Sequence, residues 1–145
     1  MKKINFTKMQ SLGNDFVIID QIKSVLKINK NYIKKIASRK YGIGCDQVLI
    51  LEKSNKKNIK FKYKIYNQDG SESGQCGNGA KCVAKYYFDK YGRSKKEINI
   101  ETISNKMSLK IIKNNFYKVD MGIPSFKYRD SKINLKKIPK NNIFI

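Results

Sequence analysis

An α+β fold is predicted by three features of the chain. Residues 59–65 alternate strictly, Ile59, Phe61, Tyr63 and Ile65 against Lys60, Lys62 and Lys64, as a half-buried strand does. Ala80, Val83, Ala84, Tyr87, Phe88 and Tyr91 recur at the spacing of a helix that buries one face, and Gly92 stands as its stop. Three more strand-like runs, 98–102, 107–112 and 116–121, are separated by Ser104-Asn105 and Asn114-Asn115, so they read as a meander completing a sheet. The Asn114-Asn115 link suits a tight hairpin turn.

The remaining elements follow in order. Residues 4–9 alternate as a strand and 16–19 form a short apolar run consistent with a second. Asn14, between them, is either a turn former or a side chain held toward a ligand; the local stretch favours the turn. Asn31 is expected to cap a short helix through Ser38, with Tyr32, Ile33, Ile36 and Ala37 inward and Lys34 and Lys35 outward, and Gly42 and Gly44 ending it. Residues 47–52 read as a buried strand, which sets Asp46 and Gln47 at its mouth. Asp46 is read as structural, bonding local backbone, and Gln47 by itself as a capping or edge amide. Residues 54–58 are a polar loop, and from Gly122 the pattern dissolves into a lysine-rich stretch punctuated by Pro124 and Pro139. There is no close internal repeat.

At 145 residues the chain accommodates one domain with a real core. Its net charge of +21 raises nucleic acid as a partner. Against that, only Arg39, Arg93 and Arg129 are arginine, and the lysines are spread along the chain without a block of stacking aromatics. Joint enrichment in Lys, Ile and Asn points to codon bias and a solvated surface. Cys45, Cys76 and Cys82 make an odd count, and with no histidine present a common zinc site is not expected. A reducing compartment follows. The N-terminus carries no apolar stretch long enough for a signal peptide or membrane span, so a soluble cytoplasmic protein is expected.

Residues 66–92 carry the chemistry. Turn residues fill 67–70, and Gly74, Gly77 and Gly79 flank Cys76 immediately before the helix pattern begins. Cys76 is thereby predicted at a helix threshold, where free amides and the positive end of the dipole meet. An ordinary thiol has a pKa of about 8.5, and helix N-termini lower it, so Cys76 is a candidate thiolate base. The amides of Gly77, Asn78 and Gly79 would suit a carboxylate. The plainer reading of Cys76 is a buried small hydrophobe. The flanking glycines argue against it.

Asn67-Gln68-Asp69-Gly70-Ser71 followed by Cys76-Gly77-Asn78-Gly79-Ala80-Lys81-Cys82 resembles the N-terminal half of diaminopimelate epimerases. Gly13-Asn14-Asp15-Phe16 resembles the family's opening signature and residues 42–47, through Gly44, Cys45, Asp46 and Gln47, its next one. The three blocks come in the family's order, so the resemblance covers nearly the whole chain.

What the resemblance implies is specific. The fold would be one lobe of a diaminopimelate-epimerase-like protein, a mixed, largely antiparallel curved sheet or barrel around a central helix. The activity would be conversion of LL- to meso-2,6-diaminopimelate, a precursor of lysine and peptidoglycan. One cysteine from each of two pseudo-symmetric lobes would move the proton, with no cofactor, neither pyridoxal phosphate nor metal. Cys76 would be one acid/base group, Gly77 and Asn78 contacts to the substrate, and Asn14, Gln47 and Asn67 substrate binders. Cys82, six residues past Cys76, is assigned to packing, and Cys45 has no obvious partner.

The family's second-half signature, a Cys-Gly-Ser-Gly segment with an upstream Glu-Arg pair, is absent from these residues. The expectation is therefore a lobe over 1–121, with 122–145 as linker or the truncated start of a second lobe. A truncated or split enzyme of this kind would be inactive alone and would need a separate C-terminal half as partner. A homodimer would instead have to bring two Cys76 thiols to one carbon. Within the same fold family, proline racemases carry a histidine where Asn78 stands, and relatives that isomerise without cysteine would not need Cys76. A basic nucleic-acid-binding module on the old fold, or a decaying gene product, are the alternatives from other classes.

Overall fold

The computed structural model describes residues 3–113 and 116–123. Its elements are β1 (Thr7–Ser11), β2 (Asn14–Gln21), α1 (Lys30–Ala37), β3 (Gln47–Lys53), β4 (Phe61–Asn67), β5 (Glu72–Ser73), α2 (Gly77–Tyr91), β6 (Glu97–Glu101), β7 (Lys106–Lys113) and β8 (Phe116–Asp120). The strands form a single mixed sheet in the order β1-β2-β3-β4-β6-β7-β8, with β5 alongside β4. Two neighbouring pairs are parallel, β2 with β3 across α1 and β4 with β6 across α2. The other pairings are antiparallel.

The sheet has an apolar layer on each side. Phe16 and Ile18 of β2, Leu49 and Leu51 of β3, and Phe61, Tyr63 and Ile65 of β4 pack with Ala80, Val83, Ala84 and Phe88 of α2. The alternate residues Val17, Ile19, Val48 and Ile50 pack with Ile33, Ile36 and Ala37 of α1. Covering on both faces explains why β2 and β3 read as unbroken apolar runs, whereas β4 alternates with lysine. α2 touches β1 and β2 at one end of the sheet and β7 and β8 at the other, so the sheet curls around it. Tilted rings of Phe61 and Tyr87 lie 5.1 Å apart, and Phe88 stacks on Tyr117 at 6.3 Å. The curved α+β lobe around a central helix is the one expected.

Several boundaries differ from the sequence reading. β1 begins at Thr7, not residue 4. Leu12 and Gly13, with φ of 55° and 81°, form a two-residue turn, and Asn14 already opens β2 opposite Ser11. Asn29, not Asn31, caps α1: its Oδ1 accepts from the Tyr32 amide at 2.9 Å. Tyr32 faces outward, so the buried face is Ile33, Ile36 and Ala37. Gly42 and Gly44 lie beyond the helix, in a turn whose Ile43 and Gly44 amides both donate to the Ile36 carbonyl. α2 starts at Gly77, three residues before its apolar stripe, because Cys76 caps it. The short β5 was not anticipated. The Asn114-Asn115 turn and the stretch from residue 124 lie outside the described residues; β7 and β8, which flank that turn, do pair antiparallel. Among the described residues no helix is long and apolar enough to cross a membrane.

Candidate active site

Strand periodicity places three amide side chains on one face. Asn14 lies two residues before Phe16, Gln47 two before Leu49, and Asn67 two after Ile65, and all three reference residues belong to the core layer under α2. With a side-chain period of two, Asn14, Gln47 and Asn67 therefore share the α2 face of adjacent strands. The register confirms the row: Phe16 is opposite Gln47, and Gln47 is opposite Asn67. Gln47 Nε2 donates to Asn67 Oδ1 at 2.9 Å.

Cys76 sits at the mouth of α2 with extended backbone, φ −151° and ψ 104°. Its Sγ accepts from the Gly79 amide at 3.3 Å, while its carbonyl accepts from the Ala80 amide at 2.9 Å. The Tyr63 hydroxyl donates to the same carbonyl at 3.4 Å, tying the cap to β4. A Cβ on Gly79 would come within 2.4 Å of that hydroxyl, and one on Gly77 within 2.9 Å of Met121 Sδ. Gly79 is thus demanded by close packing beside the thiol, against the buried Tyr63 and Leu49, whereas the flexible Met121 side chain can yield at Gly77; neither glycine has a positive φ, so turn geometry does not require them.

The expectation of a thiolate is corrected in this lobe. Burial pushes the Cys76 thiol above its ordinary value, and the opposing pull of the Gly79 and Asn78 amides does not overcome it. Alkylation of Cys76 by iodoacetamide, followed by mass spectrometry against pH, should therefore show a midpoint above the unperturbed value of about 8.5. A midpoint below it would mean that the helix terminus outweighs burial. Cys82, buried along α2, is pushed up to about 11, by burial first and by neighbouring Cys76 second. Cys45 is buried in the layer under α1, away from the amide row.

A clasp of charged groups secures the other end of the row. Asp46 Oδ2 accepts from Asn14 Nδ2 at 2.7 Å and from the Asp15 amide at 3.0 Å. The Asp46 amide donates back to Asp15 Oδ1 at 2.9 Å. Arg39 bridges the two carboxylates at 2.7 and 2.8 Å, and Lys8 reaches Asp15 and the Gly44 carbonyl. The Arg39 guanidinium holds Asp15 well below the usual carboxylate range, and the Asn14 amide lowers Asp46. Asp46 therefore does more than bond local backbone: it grips Asn14. Arg39, Asp15, Asp69 and Ser71 carry no signal of their own beyond Arg39 being a rare arginine and Asp15, Asp69 and Ser71 lying within the motif blocks. Among the described residues, no three His, Cys, Asp or Glu converge as a metal-binding group.

The diaminopimelate epimerase sequence model matches residues 6–127. The chain is 41% identical over 141 residues to a diaminopimelate epimerase of Carboxydothermus hydrogenoformans, covering 95% of this chain and 51% of that relative. It is 45% identical over 127 residues to one from Vesicomyosocius okutanii, covering 88% of this chain and 47% of the other. Among solved structures it resembles a PhzF-family phenazine biosynthesis protein of Enterococcus faecalis, with TM-score 0.60 over 77% of this chain and 41% of that one. Sequence identity there is 13%, so that likeness concerns the fold alone. The chain spans about half the length of the curated relatives it matches. Taken with the three motif blocks that the fold gathers around one helix mouth and one sheet face, these matches establish that the chain belongs to the diaminopimelate epimerase family.

Proposed function

We propose that this chain is one lobe of a two-lobed diaminopimelate epimerase, interconverting LL- and meso-2,6-diaminopimelate with Cys76 as the acid/base group on one face of the α-carbon. Epimerisation removes a proton from one face and returns one to the other, so two positioned groups are needed. The α-hydrogen is a very weak acid, and the charge that develops at the carboxylate must be stabilised in a site closed to water. In this reading the first-turn amides of Gly77 and Asn78 take the carboxylate, and Asn14, Gln47 and Asn67 bind the rest of the substrate.

The observation that carries the proposal is the placing of Cys76 Sγ, 3.3 Å from the Gly79 amide, at a helix mouth above the same sheet face as the three amides. Neither other cysteine is suited to be the second group. Cys45 packs under α1, on the opposite side of the sheet, and Cys82 is buried along α2. The second thiol accordingly belongs to another lobe. A thiol pair that must stay reduced fits the cytoplasm.

The test is incubation with LL-diaminopimelate in deuterated water, with the purified chain alone and with a polypeptide carrying a second epimerase lobe. The chain alone should produce no substantial meso isomer, and the pair should produce it with deuterium at the inverted carbon. Rapid epimerisation by the chain alone, lost on Cys76→Ser, would overturn the two-lobe reading. No turnover in either sample would overturn the epimerase assignment.

A further inference from the structure

Packing on the α1 side of the sheet gathers charge that the linear order spreads out. Between Gln21 and Cys45 the chain carries six lysines and Arg39 without one carboxylate, although the whole chain has 11 acidic residues to 32 basic ones. Helix α1 turns Ile33, Ile36 and Ala37 to the sheet and so leaves Lys30, Tyr32, Lys34 and Lys35 in solvent. Past its end, the Ile43 and Gly44 amides donate to the Ile36 carbonyl at 3.0 Å and the Tyr41 amide donates to Ser38 Oγ at 3.1 Å, which folds Lys40 and Tyr41 back beside the last turn. Gly42 permits that return, since a Cβ there would collide with the carbonyl oxygens of Lys35 and Ile36. Both rings stay accessible: Tyr32 is 40% exposed and Tyr41 75%, with Lys40 Nζ 5.2 Å from the centre of the Tyr41 ring.

Among the described residues none of Lys30, Lys34, Lys35 and Lys40 forms an ion pair. Arg39 is not counted with them, because Asp15 and Asp46 meet its charge, and Asp69 offsets part of the charge of Lys30 and Lys34. The other lysine-dense stretch, residues 53–64, is answered from neighbouring strands, Lys56 by Glu101 and Lys64 by Glu52. We propose that the outward face of α1, with the turn that follows it, is a docking surface for single-stranded nucleic acid, its lysines taking phosphates and its two tyrosines stacking on bases. The rings stand toward opposite ends of a helix about 12 Å long. A bilayer fits less well, because the apolar stripe it would need is the one that α1 already buries against the sheet. A duplex hides the faces of its bases and would leave the tyrosines without a partner. The surface lies on the side of the sheet opposite the core layer that carries Cys76, so the proposal goes beyond the epimerase reading and does not depend on it.

The experiment is fluorescence anisotropy of a labelled oligouridylate of about twelve nucleotides, titrated with the full chain at salt concentrations from about 50 to 300 mM. Each phosphate neutralised on a single strand adds about 0.7 to the slope of log affinity against log salt, so four lysines should give a slope of about −3. Lys30→Gln, Lys34→Gln and Lys35→Gln combined should flatten it to about −1. Lys53→Gln, Lys57→Gln and Lys60→Gln combined remove the same charge from exposed positions around the loop between β3 and β4, and should leave the slope within about half a unit of wild type. Tyr32→Ala with Tyr41→Ala should weaken binding about tenfold without changing the slope. Equal losses in the two lysine triples would mean the ordinary electrostatics of a chain of net charge +21 and would overturn the proposal. Tyrosine variants that bind as wild type would do the same, as would a wild type that leaves the oligouridylate free at about 50 mM salt. A wild type that binds phosphatidylserine vesicles in preference to the oligouridylate would assign the surface to a membrane instead.

Discussion

Cys76→Ser, assayed with a second epimerase lobe present, is expected to lower turnover by about a thousandfold while leaving the lobe folded. Serine is among the preferred N-cap residues, and its hydroxyl oxygen can accept the Gly79 amide bond that Sγ now accepts at 3.3 Å. The carbonyl bonds from Ala80 and Tyr63 do not involve the side chain at all. Cys76 is half-buried against the core under α2, so exchanging sulfur for a hydroxyl should cost about 1 kcal/mol of stability, too little to unfold the lobe. Proton transfer is another matter, since an alcohol is a far weaker acid than a thiol and its alkoxide is not populated near neutral pH. Thermal unfolding and deuterium incorporation measured on the same preparation separate the two effects. Full activity in the serine variant would remove Cys76 from the proton path; unfolding would show that sulfur packing, and not capping, holds the helix mouth together.

Gly79→Ala should be the most damaging small substitution around the site. Helix propensity argues in its favour, since alanine is preferred to glycine inside a helix by about 1 kcal/mol. Sterics argue against it more strongly. The new methyl would stand 2.4 Å from the Tyr63 hydroxyl, 3.2 Å from Cys76 Sγ and 3.2 Å from Leu49 Cδ1. Tyr63 and Leu49 are fully buried and have no free space into which to retreat. Overpacking of this kind costs about 1–3 kcal/mol, and the propensity gain is smaller at the first turn, where the backbone amides lack helical acceptors. A net loss of about 1–2 kcal/mol is expected by chemical denaturation, with activity falling further because the methyl also displaces the thiol. A stabilised Gly79→Ala variant would show that α2 can slide outward along the sheet.

Much of this was legible in order along the chain. Strict alternation at residues 59–65 and the spacing from Ala80 to Tyr91 are local periodicities, and the strand and helix they announce are there. Glycines on both sides of a cysteine announced a cap. Helix α1 was found but its cap was misplaced by two residues, because Asn29 and Asn31 are both competent and the docking of Ile33, Ile36 and Ala37 selects between them. β5 forms where the chain turns back beside Ile65 and Tyr66 of β4, a stretch that β6 does not pair, and no local pattern encodes that.

The sequence by itself determined most of the elements and the family, because each depends on neighbours within about one helical turn or on motifs written contiguously. Only the tertiary structure decided how the residues around Cys76 are buried and bonded. The Cys76 thiol is raised, not lowered, since the burial that shifts it comes from packing between α2 and the sheet. Asp46 grips Asn14 from 32 positions away, and Gln47 meets Asn67 across 20, because strand register brings distant donors opposite their acceptors. Hydrogen-bond direction depends on geometry and on which partner can donate, and a linear pattern of residue types does not carry that information.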